Sequence, residues 1–423
     1  MSHINPLRIL QFVILATLLA CGAVPGKTRG LQEGVWHLTL DLNGEALPFL
    51  FDLERDSADW RMVVHNGEEH IVVDDLHLHG DSVRVRMPLF DSEFRGVVRD
   101  DSTITGNWYN YLKGPDYKIG FTARAGRTTR FPSPAPGTAG LSGQWETHFS
   151  PGTPDAYDAL GIFQEKDGHV TGTFGTETGD YRFLEGVLDG DSLKLSCFDG
   201  SHAFLFKAVL RNDSLVGRYW SGTHWQEPWV AVRNPEFRLR DPDSLTFLKE
   251  GYDMVDFSFP SIDGGVVSPK DARHAGHVLM VQVMGSWCPN CVDETLLLDE
   301  MYAKYHEQGL DVIAIAFEKY EDESRAITAL KHFRDKLDVE YDILYAGSAN
   351  KDVAGSKLPF LDHVMSYPTC IFIDRAGKVR RIRTGFYGPG TGEHYAHYKR
   401  NLDTFLQQLL SEPTGAPIAA SGN

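Results

Sequence analysis

The chain has 423 residues, more than one ordinary domain of about 100–200 residues holds, so its length calls for two to four compact units. Its 42% hydrophobic, 11% aromatic and 23% charged residues are those of a globular protein and exclude the disordered and fibrous classes. A formal net charge of −17, with no Lys/Arg cluster to break it, repels phosphate backbones, so nucleic acid is not an expected partner.

Residues 1–20 carry Arg8 and then an apolar run from Ile9 to Ala20, broken by Gln11 and Thr17. A permanent membrane helix needs about 20 residues, so this shorter run reads as the core of a signal peptide. It ends in Leu18-Leu19-Ala20-Cys21, which resembles a bacterial lipobox. That resemblance implies lipidation of Cys21 and a periplasm-facing lipoprotein tethered to the inner or outer membrane by its first mature residue. Of the five cysteines, Cys288 and Cys291 form a CxxC pair, while Cys197 and Cys370 stand alone. This is not the dense, even-numbered pattern of a disulfide scaffold, so the close pair is expected to be redox-active.

A Pro/Gly-rich linker at 127–140 separates two β-domains, 31–126 and 141–235, and a second linker at 236–252 precedes a third unit at 253–411. Residues 412–423 read as a disordered tail. The first two units repeat each other. Gly34-Val-Trp36 recurs as Gly143-Gln-Trp145, and Gly80-Asp-Ser-Val-Arg-Val85 recurs as Gly190-Asp-Ser-Leu-Lys-Leu195. Phe121-Thr-Ala-Arg124 similarly returns as Val230-Ala-Val-Arg233, at an offset of about 110 residues, which marks a duplicated domain. Short alternating runs such as Val83-Arg-Val-Arg-Met87, punctuated by Asn-Gly and Asp-Gly turns, predict antiparallel all-β units.

A Gly-x-Trp on the first strand with an Arg leaving the last resembles the lipocalin-like (calycin) barrels. The resemblance implies that Arg124 stacks on Trp36 and Arg233 on Trp145; two generic sandwich or open-barrel modules are the alternative. His77 and His79 share a strand face and are read as solvated, not as metal ligands. Cys197 falls where the first repeat has Met87 and is read, like Cys370, as a packing residue.

From about Tyr252 the pattern becomes alternating α/β. Val278 to Met284 predicts a strand, Cys291 to Glu307 a helix ended by Gly309, and Leu310 to Phe317 a buried strand. A helix over Glu323 to Asp338, a strand over Thr369 to Ile373, a hairpin through Asp374–Lys378 to Arg383, and a helix over His394 to Leu410 follow. The expected architecture is multidomain: two antiparallel barrel-like repeats, then an α/β thioredoxin fold.

Val283-Met-Gly-Ser-Trp287-Cys288-Pro289-Asn290-Cys291 closely resembles the active-site segment of thioredoxins. At a helix N-terminus, unpaired backbone N–H groups and the macrodipole favour the thiolate of Cys288, the attacking form; Cys291, one turn in, would resolve the mixed disulfide. A structural zinc site lacks a second ligand pair, and covalent haem lacks its histidine because Val292 follows Cys291, so neither metal nor any cofactor beyond the Cys288–Cys291 couple is expected. Tyr367-Pro368-Thr369 resembles the family's cis-proline loop, which implies that Tyr367 and Pro368, with Trp287 and Pro289, contact substrate.

Gln282 replaces the aspartate that thioredoxins bury there, and Glu294, three residues after Cys291, matches the buried glutamate of TlpA/ResA-like proteins. As i,i+3 neighbours on a helix, Glu294 and Cys291 could exchange a proton. The 253–411 unit therefore resembles TlpA/ResA thiol–disulfide oxidoreductases. That resemblance implies disulfide-containing proteins as substrates and a membrane thiol carrier as electron donor. A peroxiredoxin-type peroxidase is one rival, although Gly285-Ser-Trp-Cys288 lacks its threonine; a ligand-binding barrel lipoprotein with an accessory redox domain is the other.

Overall fold

The computed structural model describes residues 30–56, 59–132 and 140–413. The signal-peptide segment, Cys21 and the end of the tail lie outside the described residues. Among the described residues no helix is long and apolar enough to cross a membrane.

Both N-terminal units are antiparallel meanders whose first and last strands pair. In the first, nine strands run from Gly34–Leu42 to Lys118–Ala125, and Trp36 lies opposite Ala125. The inward set Trp36, Leu38, Leu40 and Leu42 follows the two-residue pleat. In the second, Tyr157–Lys166 pairs with both Gly143–Phe149 and His169–Thr176, so the ring from Gly143–Phe149 to Trp225–Arg233 closes. Its interior is filled by Phe149, Phe174, Phe206 and Trp229, all fully buried. The two barrels share packing. Phe198 of the second stacks on Phe49 of the first at 4.6 Å between ring centroids, with Trp108 edge-on at 5.1 Å.

Arg233 lies over Trp145 at 4.5 Å from the ring centroid and donates to the Gly140 and Ser142 carbonyls at 2.6 and 2.7 Å. The expected Trp36–Arg124 pair is not formed. Ala125 occupies the position equivalent to Arg233, while Arg124 lies opposite His37 and so faces away from the indole. Matching the repeats by sequence slips this strand by one residue, and a one-residue slip exchanges the two faces of a strand. The Trp36 indole donates to the Gln32 carbonyl at 2.8 Å, as Trp145 does to Leu141 at 2.9 Å, so this interaction is the one the two units share.

In the third unit β1 (Val278–Met284), β2 (Leu310–Glu318) and β3 (Asp342–Ser348) are parallel, and β4 (Thr369–Ile373) and β5 (Val379–Thr384) complete the sheet antiparallel, in the order β3-β2-β1-β4-β5. Every residue of β1 and β2 is buried, because helices cover both faces of these central strands. α1 (Pro289–Tyr305), α2 (Glu323–Leu337), α3 (Lys351–Lys357) and α4 (Glu393–Ser411) supply that cover. β3 and α3 were not among the predicted elements; each is seven residues long, below the length at which periodicity separates strand from helix. Residues 236–252 are held against the sheet edge. Thr246 bonds Thr384 at 2.7 Å, and Asp243 pairs with Arg381 and Arg383 at 3.2 and 3.1 Å.

Candidate active site

Cys288 is the N-cap of α1, and Pro289 is its first helical residue. A proline is tolerated there because first-turn N–H groups have no helical acceptor, and the free ones can turn to the capping sulfur. The Cys291 N–H donates to the Cys288 sulfur at 3.3 Å, and the Cys288 thiol meets the Tyr367 carbonyl at 3.5 Å. Both cysteines are free thiols; Cys288 retains 6% exposure and Cys291 none. Burial pushes the Cys291 thiol well up, and the Cys288 sulfur and Glu294 carboxyl add to the rise.

Behind the pair, Glu294 is 1% exposed, and burial lifts it to about 8, against the Gln282 amide and the Arg383 charge. Gln282 donates to one Glu294 oxygen at 2.9 Å and to the Cys291 carbonyl at 3.4 Å, and accepts from Thr295 at 3.1 Å. The other oxygen, Oε1, is buried without a hydrogen-bond partner. A buried carboxyl whose pKa lies in the range of thiols can, once ionised, take the proton of the thiol beside it.

Trp287 and Tyr367 meet edge to face at 5.6 Å in front of Cys288, and the Trp287 indole donates to the Phe317 carbonyl at 3.0 Å. Tyr367–Pro368 is a cis peptide, and the Pro368 carbonyl accepts from the Gly385 N–H at 2.9 Å. The structure thus brings Trp287, Cys288, Pro289 and Tyr367 to one cavity of about 840 Å³; Pro368 and the buried Cys291 and Glu294 do not line it.

The barrels build the rest of that cavity, which sequence reasoning did not reach. Leu112 and Lys113 come from the first barrel and the Thr176–Tyr181 hairpin from the second. Gly179 has φ +147° and packs against Asn290 so closely that a Cβ would overlap the amide. Ser366 donates to the Thr178 carbonyl at 3.0 Å and the Gly388 N–H to Asp180 at 2.6 Å, tying the hairpin to the loops around the CxxC. Deeper in, Arg182 pairs with Asp293 of α1, with Glu69 of the first barrel at 2.5 Å, and with Asp199 at 3.9 Å. Burial lifts Asp293 to about 7 despite the Arg182 charge. Lys319, just past β2, sets its ammonium 3.9 Å from the Trp287 ring centroid. No local pattern marks these residues, because their neighbours are distant in sequence.

The remaining candidates lie elsewhere. Cys197 and Cys370 are fully buried, and burial pushes both thiols well up. His77 and His79 are exposed, and His77 pairs with Asp75 at 3.0 Å. Among the described residues no group of His, Cys, Asp and Glu is arranged to hold a metal.

A CxxC capping a helix that abuts a cis-proline loop on this sheet order defines a thioredoxin-fold redox domain. Residues 251–382 match the AhpC/TSA family, which places this thioredoxin-like domain in the C-terminal part of the chain. The thioredoxin-like protein YneN of Bacillus subtilis is 28% identical over 138 residues, 33% of this chain and 73% of that protein. The thiol-disulfide oxidoreductase ResA of Bacillus cereus is 28% identical over 129 residues, 30% of this chain and 66% of its own length, just under two thirds. Among solved structures, a thiol-disulfide isomerase from Corynebacterium glutamicum is 19% identical with a TM-score of 0.31, covering 39% of this chain and all of its own. Each of these three relatives covers between 30% and 39% of this chain.

Proposed function

We propose that the chain is an exported thiol–disulfide oxidoreductase that reduces disulfides of other proteins through Cys288 and Cys291, anchored to a membrane by lipidated Cys21 and recharged by a membrane thiol carrier. The observation that carries this reading is the Cys288 sulfur at the N-terminus of α1, accepting the Cys291 N–H at 3.3 Å at the wall of a cavity that Trp287 and Tyr367 also line.

In the reaction so assigned, the Cys288 thiolate attacks one sulfur of the substrate disulfide and displaces the other as a thiolate, which takes up a proton. Cys291 then attacks the Cys288 sulfur of the mixed disulfide and expels the second substrate thiolate. Two electrons pass to the substrate, and the Cys288–Cys291 disulfide forms. Glu294, ionised near its pKa of about 8, accepts the Cys291 proton. Tyr367 lines up the extended substrate chain with its backbone groups, and cis-Pro368 sets the turn that presents them.

Mixed-disulfide capture tests the assignment. Cys291→Ser should accumulate covalent partners and Cys288→Ser far fewer; equal trapping by both overturns the assigned roles. The AhpC/TSA match gives the peroxidase rival its one supporting observation. Gly285 stands where that chemistry wants threonine, and a lysine, Lys319, is the cation set beside Trp287. Peroxide turnover matching disulfide turnover in rate would favour the rival.

A further inference from the structure

Charge in the cavity over Cys288 is unevenly compensated. Of the carboxylates on its wall, Asp158 pairs with His148 at 2.7 Å and Glu177 with Arg240 at 2.5 Å. Asp180 accepts the Arg182 and Gly388 N–H groups at 2.8 and 2.6 Å. Two cations on the same wall, Lys113 and Lys319, have no carboxylate within ion-pair distance among the described residues, and both side chains are exposed to the cavity.

Their surroundings compensate them only in part: Asp199 acts on Lys113, and burial lowers Lys319 against the Cys288 sulfur and the Glu318 carboxyl. Lys113 donates to His224 at 3.1 Å, and that imidazole is lowered to about 4 by its partial burial and the Lys113 charge, so it accepts as a neutral group. The nearby Asp199 is engaged by His202 at 3.0 Å and by Arg182. Lys319 lies on the Trp287 ring, and Glu318, next in sequence, accepts from the Ser286 N–H at 2.8 Å and hydroxyl at 2.9 Å. The enclosing walls and the Lys319 charge lower Lys113 to about 8, which leaves it cationic at neutral pH. Two ammonium groups without a carboxylate at ion-pair distance, beside a reactive sulfur in a chain of net charge −17, form a local exception to the field of the whole protein.

We infer that this cavity selects protein disulfides whose cysteine is flanked by carboxylates, with Lys113 of the first barrel and Lys319 of the thioredoxin unit as its two cationic subsites. The inference rests on the reductase reading above and gives the N-terminal barrels a part in it: they carry one of the two charges that recognise the substrate segment. The acidic surface elsewhere disfavours such a segment, so productive contact is concentrated at the cavity mouth.

Three disulfide peptides differing only in Glu, Gln or Lys beside the cysteine, reduced by the full chain, test it. The expected order of kcat/KM is Glu, Gln, Lys, with the Glu peptide ahead of the Lys peptide by on the order of tenfold at low salt and less at high salt. The Lys113→Gln/Lys319→Gln double variant should bring that ratio close to unity, and Lys113→Arg, which keeps the charge, should preserve it. A wild-type ratio near unity overturns the inference and leaves the reductase reading standing, as does a ratio that survives the double variant. Equal loss on all three peptides also overturns it and assigns the lysines to the Cys288 thiolate. If no peptide is reduced, the reductase reading fails and the inference with it.

Discussion

Replacing Glu294 with glutamine isolates one buried proton. The carboxyl has an ordinary value of 4.5 and rises to about 8 on folding because burial disfavours its charged form. Between those values the folded chain holds a proton that the unfolded chain has released. The folded state binds more protons, so stability falls as pH rises through this window and levels off above about 8. At about 1.4 kcal/mol per pH unit, wild type should lose about 2–3 kcal/mol through this group between roughly pH 6 and pH 9. Glu318 and Asp293, each lifted to about 7 by burial, add a similar slope to wild type and variant and cancel in the comparison. Glutamine keeps an acceptor for the Gln282 amide but puts an N–H2 where Oε1 now has no partner, which costs about 1–3 kcal/mol at every pH. The variant should therefore be the weaker protein near pH 6 and should close or reverse that gap near pH 9. Urea unfolding of the reduced full chain, read as maleimide labelling of buried Cys291, measures both. Parallel losses in the two proteins would refute a proton held on Glu294.

Three further outcomes follow from contacts within and between the units. Arg182→Met strips the cation from Glu69, Asp199 and Asp293, and should cost about 3–5 kcal/mol, seen as a lower Tm and faster proteolysis between units. An unchanged Tm would show that the cluster does not bind the units together. Gly179→Ala drives a Cβ into Asn290 and should cost about 1–3 kcal/mol, changing the alkylation rate of Cys288 while leaving the barrel's circular dichroism intact; an unaltered rate would place the hairpin outside the site. Arg233→Ala removes a cation from Trp145 and two hydrogen bonds, so about 1–3 kcal/mol should be lost in thermal unfolding, against about 0.5 kcal/mol or less for Arg124→Ala, which faces away from Trp36.

Much of this protein was legible in order along the chain. Trp-Cys-Pro-Asn-Cys after an apolar strand specifies a dithiol on a helix N-terminus because both the cap and the first turn are local. The duplicated barrels were legible for the same reason: alternation and turn residues report a pleat and its reversals within a few positions. Glu294 was within reach, since Cys291 and Glu294 share a helix face at i,i+3 spacing. Its near-neutral pKa was not, because that depends on how completely β1, β4 and α4 exclude water from it.

What tertiary structure alone decided is everything that depends on register and on neighbours far apart in sequence. The repeats align well enough to reveal a duplication, yet one residue of slip put Arg124 on the wrong face, because strand pairing and not residue identity fixes which side chain lies over Trp36. The cavity is the larger case. Lys113, Gly179, Arg182 and Lys319 come from three units and carry no motif; they converge because Phe198 packs into the first barrel and Arg182 draws carboxylates from all three units together. Local sequence fixes a reactive sulfur through interactions a few residues long, whereas the walls that choose its substrate form only when distant segments bury the same surface.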